Sequence, residues 1–294
     1  TLAERDMIAF IDEAEVERHP VTGEVLRGGF FAVHHKEGRL RLIYDRRPQN
    51  ALEADLSPEW LRLPHGSQFC EMILQPGEGL RGSTDDLECW FYQLRHHVPW
   101  WKMQAVGRRV LGADVGLGLN PHRYYRACLK VVAMGDKNGV PFAQEAHEFM
   151  LRSQGLLGPD VCLRFGASPP LGDVWQGAYV DDFVVSLRAP LHRLGCYPDH
   201  SATCSHCKLD GGRLKDVDVT EKLVTAYESF DATRSADKAT RFKETFTAWG
   251  TTVEGRAGRV GVSLDKRRQI SRLAYAVAGM GTVLERCSSL SWGQ

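Results

Sequence analysis

The chain has 294 residues, of which 43% are hydrophobic and 25% are charged, and its formal net charge is zero. This is ordinary globular composition, with enough length for one large domain or two small ones. It is not the composition of a small disulfide-rich chain, and no apolar run is long enough to span a bilayer, so we expect an intracellular protein, cytoplasmic or nuclear, with no membrane partner.

The first half of the chain carries three secondary-structure signals. Two β-like runs in 30–44 flank a Lys-Glu-Gly turn and predict a hairpin. Residues 83–94 favour a strand end that leads into a helix. In 141–153 the apolar positions recur at helical spacing, which predicts an α-helix.

The second half begins with another predicted hairpin, at 174–187. Residues 188–216 are polar and irregular, which indicates an inserted loop. Residues 217–248 predict one or two helices with a break near Asp231. Residues 249–262 alternate between glycines and favour a further hairpin, and a last helix is expected from Lys266 to Leu284.

Basic residues cluster in two parts of the chain. Residues 101–130 hold six basic and one acidic side chain, and 234–272 hold ten basic and four acidic, whereas 1–25 hold seven acidic and two basic. Basic patches can hold a phosphate backbone even in a neutral protein. Solvated helix faces explain the same pattern, so charge alone does not predict a nucleic-acid partner.

Two adjacent aspartates, Asp181 and Asp182, interrupt the apolar hairpin at 174–187. Neighbouring residues of a strand point to opposite faces, so both carboxylates avoid burial only at a turn, where Asp is common and simply solvated. Asp86 also precedes an apolar segment, and three converging carboxylates repel one another unless cations hold them. Such oxygen ligands suit two Mg²⁺ or Mn²⁺ ions, whose chemistry is in-line displacement at phosphorus.

Tyr179-Val180-Asp181-Asp182 resembles the Tyr-x-Asp-Asp box of the reverse transcriptases of retroviruses and retrotransposons. The segment 86–95 is similar to the family motif in which a metal-binding Asp precedes an aromatic residue by five positions, which selects Asp86 with Phe91 over Asp85. In the family that ring excludes ribonucleotides by clashing with a 2′-hydroxyl. The alternative for Phe91 is a plain core residue.

Two further segments resemble nucleotide-binding motifs of the family. Residues 133–144 are similar to the motif beside the incoming nucleotide, with Ala133-Met134-Gly135 in place of the usual Pro-Gln-Gly and Gly139-Val140 in place of its Ser-Pro pair. The resemblance implies that Met134 and Gly135 lie at the nucleotide. Residues 41–50 look like the fingers motif, which implies that Arg41 grips the triphosphate and that Lys36 is the second cation. In that segment, Arg47 and Asn50 are expected to hold the fingers together.

Lys238 and Trp249-Gly250 resemble the last two palm motifs of the family. The resemblance implies that Lys238 lies near the leaving pyrophosphate and that Trp249 and Gly250 form a primer grip. It also implies that Asp86, Asp181 and Asp182 are catalytic. The metal ligands would then be Asp86, the backbone carbonyl of Leu87, and Asp181.

The fold implied by the resemblance is α/β (α+β), a right-hand polymerase with fingers and an antiparallel, ferredoxin-like palm sheet backed by helices, and a partial thumb. We expect an acidic N-terminal extension at 1–27, fingers and palm at 28–265, and the start of a thumb or connection at 266–294. The implied activity is RNA-directed DNA polymerisation, with deoxynucleotides and an RNA or DNA template-primer as partners. Because residue 1 is Thr, we expect the chain to be part of a longer polyprotein.

Two alternatives remain open at this stage. A degenerate or domesticated copy of the fold would bind nucleic acid without polymerising. An interaction or scaffold domain would carry a merely solvated acidic hairpin tip, and it predicts that Asp86 and Asp181 lie far apart.

The predicted inserted loop contains a possible structural zinc site. Its candidate ligands are Cys196, Cys204, His206 and Cys207. The spacing matches no zinc module, and reduced thiols in a loop are the alternative. The other cysteines are scattered singly through apolar segments, which is typical of buried thiols.

Overall fold

The computed structural model describes residues 2–36, 38–56, 62–196, 205 and 212–279. Within these ranges the chain has a mixed α/β fold with three sheets, which agrees with the expected class. None of the described helices is both long and apolar enough to cross a membrane.

The described chain contains twelve strands and six α-helices, together with three short 3-10 helices. The strands are β1 (Ile8–Asp12), β2 (Arg27–Lys36), β3 (Arg39–Asp45), β4 (Glu78–Asp86), β5 (Ala105–Leu111), β6 (Tyr124–Leu129), β7 (Val174–Tyr179), β8 (Asp182–Pro190), β9 (Thr240–Lys243), β10 (Thr245–Ala248), β11 (Thr251–Glu254) and β12 (Arg259–Gly261). The α-helices are α1 (Arg47–Asn50), α2 (Trp90–Gln93), α3 (Gly112–Val115), α4 (Gly139–Ser153), α5 (Lys215–Ser229) and α6 (Leu264–Gly279). Short 3-10 helices cover Gly66–Glu71, Val98–Met103 and Leu191–Arg193.

A four-stranded antiparallel sheet, in the order β7-β8-β4-β9, carries the acidic residues. Its strand β8 is apolar on both faces because both faces are covered. Phe183 and Val185 pack with residues of α4 and α5, whereas Val184 faces a second cluster that includes Phe246 of β10. Burial on both sides explains the near-continuous apolar run in this strand.

A five-stranded sheet, in the order β1-β6-β5-β2-β3, forms a second layer. β2 and β5 are parallel and its other neighbours are antiparallel. Its core is built around Tyr44, whose hydroxyl donates a 2.9 Å hydrogen bond to the carbonyl oxygen of Ala105. β1 comes from the segment 1–27 that the sequence predicted to be an acidic extension.

Most of the predicted elements are confirmed. The hairpins β2–β3 and β7–β8, the helix α4 and the last helix α6 all lie where the sequence placed them. The prediction of one or two helices over 217–248 is wrong beyond α5, because β9 and β10 occupy 240–248. Phe246 and Ala248 alternate with exposed threonines in β10, so one face of that short segment is buried.

Arg81 of β4 binds described residues on both sides of the segment 197–211, within the predicted inserted loop. Its guanidinium is fully buried and makes a two-pronged ion pair with Asp216, at 2.7 and 2.6 Å. Nη1 of Arg81 also donates to the carbonyl oxygens of Leu194, at 3.2 Å, and Cys196. Since these partners lie before and after the segment 197–211, Arg81 fixes the two points from which that segment leaves and returns.

The zinc prediction falls mostly outside the described residues. Cys204, His206 and Cys207 are not described, and the described candidate, Cys196, is buried. The zinc site therefore stays a prediction.

Candidate active site

The candidate active site lies where β4 ends beside the β7–β8 hairpin. Asp86, the last residue of β4, is directly opposite Asp182, the first residue of β8. The backbone N–H of Leu87 donates a 2.9 Å hydrogen bond to the carbonyl oxygen of Asp181. The three predicted aspartates therefore meet at one end of the sheet, and the scaffold alternative's expectation that Asp86 and Asp181 lie far apart is wrong.

The turn that carries Asp181 is conformationally strained. Tyr179 pairs with Asp182, so Val180 and Asp181 form a two-residue hairpin loop. Val180 has a φ of 56°, a left-handed conformation that β-branched residues rarely adopt. Such a backbone costs on the order of 1–3 kcal/mol and persists only where the surroundings enforce it.

The buried side chain of Gln144, in helix α4, helps to hold Val180 in this strained conformation. The N–H of Val180 donates to Oε1 of Gln144 at 2.7 Å, and Nε2 of Gln144 donates to the carbonyl oxygen of Ala178 at 2.9 Å. The carboxamide therefore bridges the last strand residues and the turn, which fixes where the β7–β8 hairpin ends.

His147, on the same face of α4, supplies a second contact. Its Nδ1 lies 2.9 Å from the carbonyl oxygen of Val180, and its Nε2 lies 2.8 Å from the hydroxyl of Tyr227 in α5. Burial lowers the pKa of His147 to about 4, so the ring is neutral near pH 7.

The carboxylates perturb one another electrostatically. Burial raises the pKa of Asp182 to about 7, and the charges of Asp181 and Asp86 act in the same direction. Burial also raises the pKa of Asp181, with a further upward contribution from Asp86, while Lys238 and Arg41 act the other way. Lys238 forms an ion pair with Asp86. Lys238 therefore contacts the carboxylate group directly, and Arg41 acts on it through its charge.

Asp85 is excluded from this group by its surroundings. It is 1% exposed, and its carboxylate is paired with Arg234, at 3.2 Å, and with Arg241. The neighbouring Asp86 is partly exposed. Both aspartates border a cleft of about 200 Å³ that Asp182, Lys238 and Trp249 also line, but the Asp85 carboxylate is taken up by its two arginines. The open carboxylate is therefore that of Asp86, as the spacing to Phe91 required.

The residues at this cleft suit hard divalent cations. In the described part of the chain no three His, Cys, Asp or Glu side chains are arranged to hold one ion by themselves. Mg²⁺ is commonly held by one or two carboxylates, with substrate phosphates and water completing its shell, so a complete protein cage is not required. Asp86, at the cleft, and Asp181, in the adjoining hairpin turn, would supply such oxygens. Carboxylate oxygens are donors that Mg²⁺ and Mn²⁺ accept, and the pair of ions stays a prediction.

Phe91 lies between two anchored neighbours in the short helix α2. Nε1 of Trp90 donates to the carbonyl oxygen of Ala143 at 3.0 Å, and the hydroxyl of Tyr92 donates to the carbonyl oxygen of Leu42 at 3.0 Å. Phe91 itself is only partly buried, and its ring approaches the start of α4 so closely that a methyl group on Gly139 would lie 3.2 Å from it. Phe91 also packs against the core cluster that contains Trp90, so both its role in sugar selection and its alternative as a core residue stay open.

Gly135 is fixed against β3 by backbone packing. Its φ is +114°, and a Cβ at this position would lie 2.0 Å from the carbonyl oxygen of Tyr44. The backbone N–H of Tyr44 donates to the carbonyl oxygen of Met134 at 2.9 Å. The side-chain amide of Asn50 donates to the carbonyl oxygen of Gly135 at 2.8 Å. Asn50 thus joins the segment 41–50 to the segment 133–144.

The other expectation for this segment is wrong in part. Arg47 is exposed and pairs only locally, with Asp45 at 2.7 Å. The buried cation is Arg46, which pairs with Glu53 and with Asp136, the latter at 3.4 Å. Arg46 and not Arg47 therefore stabilises this part of the protein, because its side chain points into the core.

Trp249 and Gly250 form the tight turn between β10 and β11, with φ values of 48° and 74°. The indole stacks on Phe69 at 5.7 Å between ring centroids. It also lies over Gly177, where a Cβ would be 2.5 Å from the indole. The predicted primer-grip turn therefore packs directly against the hairpin that carries the aspartates.

The side chain of Lys36 lies outside the described residues, so its assignment stays a prediction. Arg41 is partly buried, with Nη2 3.1 Å from Nε2 of His35. Sequence reasoning missed His147 and Tyr227 altogether. A signal existed in α4, where a His interrupts the apolar stripe three residues after Gln144, but its partner is 80 residues away.

Comparison with known proteins shows likeness in fold. No protein-family model matches the sequence, and no curated protein matches it. One similar solved structure is a foamy viral protease-reverse transcriptase in complex with dsDNA, with a TM-score of 0.56, 12% identity, and coverage of 92% of this chain and 41% of that one. A second structure of a foamy viral protease-reverse transcriptase with dsDNA has a TM-score of 0.55 and 12% identity and covers 92% and 34% of the two chains.

A third similar structure is a mutant of the Prototype Foamy Virus protease-reverse transcriptase. Its TM-score is 0.50 with 14% identity, and the match covers 89% of this chain and 26% of that one. The chain thus spans less than half the length of the structures it matches. At these identities the likeness establishes a reverse-transcriptase-like fold.

Proposed function

We propose that this chain is the fingers and palm of an RNA-directed DNA polymerase, which adds deoxynucleotides to a primer 3′ end and releases pyrophosphate. The observation that carries the proposal is the meeting of Asp86 and Asp182 across β4 and β8, with Asp181 in the turn between β7 and β8. The likeness in fold to viral protease-reverse transcriptases supports it.

The topology supports the assignment of palm and fingers. The elements β4, α4, β7, β8, α5 and β9 follow a β-α-β-β-α-β order, and their sheet is fully antiparallel, as in ferredoxin-like folds. We assign this unit to the palm and the five-stranded sheet to the fingers. Helix α6 would begin a thumb; its exposed apolar side chains include Leu273 and Tyr275.

In this proposal Asp86, Asp181 and the carbonyl of Leu87 hold two Mg²⁺ or Mn²⁺ ions, and Asp182 lies beside them. When bound, such ions neutralise the attacking and leaving oxygens of an in-line displacement. The chain itself contributes positioning and electrostatic stabilisation, which dominate phosphoryl-transfer catalysis.

In this proposal two cations of the chain, Arg41 and Lys238, serve the triphosphate. The charge of Arg41 favours the ionised form of Asp181, and in this proposal its guanidinium serves the triphosphate at the cleft. A guanidinium binds phosphate oxygens in a two-pronged geometry. Lys238 reaches the same cleft from the segment before β9 and can balance the charge of the leaving pyrophosphate.

The proposed partners are an RNA or DNA template-primer and deoxynucleoside triphosphates. The solved relatives include complexes with dsDNA. Because this chain spans only 34–41% of those chains, we also propose that it works as part of a longer polyprotein.

The test is primer extension on an RNA template with Mg²⁺ or Mn²⁺. The unchanged protein should extend the primer, and Asp181→Asn should not, while Asp160→Asn, an exposed carboxylate after α4, should match the unchanged protein. Binding of the template-primer without extension in either metal would sink the polymerase proposal and favour a nucleic-acid-binding copy of the fold.

A further inference from the structure

The peptide groups around Asp181 are held on three sides. The N–H of Val180 is bound by Gln144, and the carbonyl oxygen of Asp181 is bound by the N–H of Leu87. Between them, the carbonyl oxygen of Val180 belongs to the peptide that leads directly into Asp181, and it points into the protein toward His147.

We propose that His147 and Tyr227 form a buried positioning pair that fixes the peptide between Val180 and Asp181 and so aims the Asp181 carboxylate. The inference rests on the proposed function for its catalytic consequence. Neither side chain touches the cleft, so both act through the turn.

The contacts determine which nitrogen of His147 carries the proton. A carbonyl oxygen only accepts hydrogen bonds, so Nδ1 must donate to Val180. A neutral imidazole has one N–H, so Nε2 must accept, and the hydroxyl of Tyr227 must donate to it. Each hydrogen bond thus requires the other, and loss of the Tyr227 hydroxyl would leave Nε2 buried without a donor.

Because Val180 is strained, the hydrogen bond to its carbonyl oxygen matters for the position of Asp181. Val180 is held at a φ of 56°, and release of its carbonyl would let the peptide rotate toward an ordinary conformation. Rotation of that peptide would move the carboxylate that follows it. A displacement of about 1 Å in a catalytic constellation can cost on the order of 100-fold in rate.

Tyr227 connects the turn to a second helix. Tyr227 is fully buried in α5. The centroid of its ring lies 5.6 Å from that of His147, and the His147 centroid lies 6.0 Å from that of Trp90. Because α4, α5 and α2 all contribute to this packing, the donor at Nδ1 has little freedom to move.

Two substitutions of His147 separate its two hydrogen bonds. The amide nitrogen of Asn can occupy the place of Nδ1, so His147→Asn keeps a donor for Val180 and loses the contact with Tyr227. The amide of Gln reaches the place of Nε2, so His147→Gln keeps the contact with Tyr227 and loses the donor. Tyr227→Phe keeps the ring and removes the proton that Nε2 needs.

We expect kcat for single-nucleotide extension, measured per folded protein, to fall about 10- to 100-fold in His147→Gln and about 3- to 10-fold in Tyr227→Phe, with the KM for the nucleotide changed less than twofold. His147→Asn should restore kcat to within about threefold, and adding Tyr227→Phe to it should cause no further loss. Trp175→Phe, which removes a 3.1 Å hydrogen bond to Gly172 at the other end of the same hairpin, is the matched control. Equal kcat in all variants despite lower melting temperatures would mean that the pair only packs, and would overturn the proposal.

A spectroscopic measurement tests the pair without any polymerase activity. The ¹⁵N chemical shifts of the His147 imidazole should show the neutral ring protonated at Nδ1, and the amide of Leu87 should exchange with solvent faster in His147→Gln than in His147→Asn. A ring protonated at Nε2 would refute the pair even if the protein extends primers. If the ring is protonated at Nδ1 and the exchange difference is seen but no primer is extended, the polymerase proposal is wrong. The positioning pair of His147 and Tyr227 would still hold.

Discussion

Asp86 and Asp182 face each other directly across β4 and β8. Like charges in this position destabilise an antiparallel pair. Burial and the neighbouring charges raise the pKa of Asp182 to about 7, so its ionised form is disfavoured, and Lys238 partly balances Asp86. A cation in the cleft would offset the repulsion between the Asp86 and Asp182 carboxylates. Metal binding should therefore increase the free energy of unfolding.

Mn²⁺ or Mg²⁺ should therefore raise the melting temperature of the protein relative to EDTA. An ion at about 100 times its Kd adds about 2.7 kcal/mol to the free energy of unfolding. The double variant Asp86→Asn, Asp181→Asn should lose this shift, and Asp160→Asn should keep it. A shift of the same size in the double variant would show that the ions bind elsewhere.

Replacing Phe91 with Val or Ala should increase the incorporation of ribonucleotides relative to deoxynucleotides. Removing a steric contact of this size is worth about 1–3 kcal/mol, which corresponds to roughly 10- to 150-fold in selectivity. The measurement is the ratio of kcat/KM for the two nucleotides. Phe149→Ala, at an aromatic ring of α4 that is 60% exposed and contacts Phe230, should leave the ratio unchanged. Unchanged selectivity in the Phe91 variants would remove the role assigned to this ring.

Arg81→Met should lower the free energy of unfolding by about 3–5 kcal/mol, because it leaves the Asp216 carboxylate buried and unpaired. Adding Asp216→Leu should recover part of the loss. Arg47→Met, at an exposed pair with Asp45, should cost only about 0–1 kcal/mol. Urea unfolding measures all four proteins, and equal losses in the two single variants would contradict the assigned importance of Arg81.

Stability should fall as the pH is lowered from about 6.5 to about 4, in part because of His147. Burial lowers its pKa from 6.5 to about 4, which outweighs the opposite effects of the Val180 carbonyl and of Glu148. In this window the unfolded chain binds the proton and the folded protein does not, so acid favours unfolding. His147→Asn should flatten this part of the curve of unfolding free energy against pH, and His122→Asn, at an exposed site, should not. Identical slopes in all three proteins would exclude His147 as a source of the acid sensitivity.

Gly135→Ala should destabilise the protein by more than about 1 kcal/mol, because the added Cβ meets the Tyr44 carbonyl at a φ that L residues rarely adopt. It should also weaken binding of the incoming nucleotide, since the segment is held against β3. Gly29→Ala is the control, with open space for its methyl group. Similar effects in both variants would contradict a specific requirement at 135.

Local patterns predicted the elements that carry the carboxylates. The apolar hairpin with a charged tip required a turn at Asp181 because adjacent strand residues cannot both be buried, and the structure has that turn. The residues over 240–248 were mistaken for helix, since short alternating segments give a weak signal and only contact with the core identifies their buried face.

The sequence by itself determined which residues could meet: a charged tip between apolar strands, a second Asp with an aromatic residue five positions on, and a glycine-containing turn at Trp249. Only the tertiary structure decided how they are held. Arg81 meets Asp216 across 135 positions and His147 meets Tyr227 across 80, and no local pattern encodes such pairs. They exist because a polar group buried by the packing of helices on a sheet must find its partner wherever the fold places one.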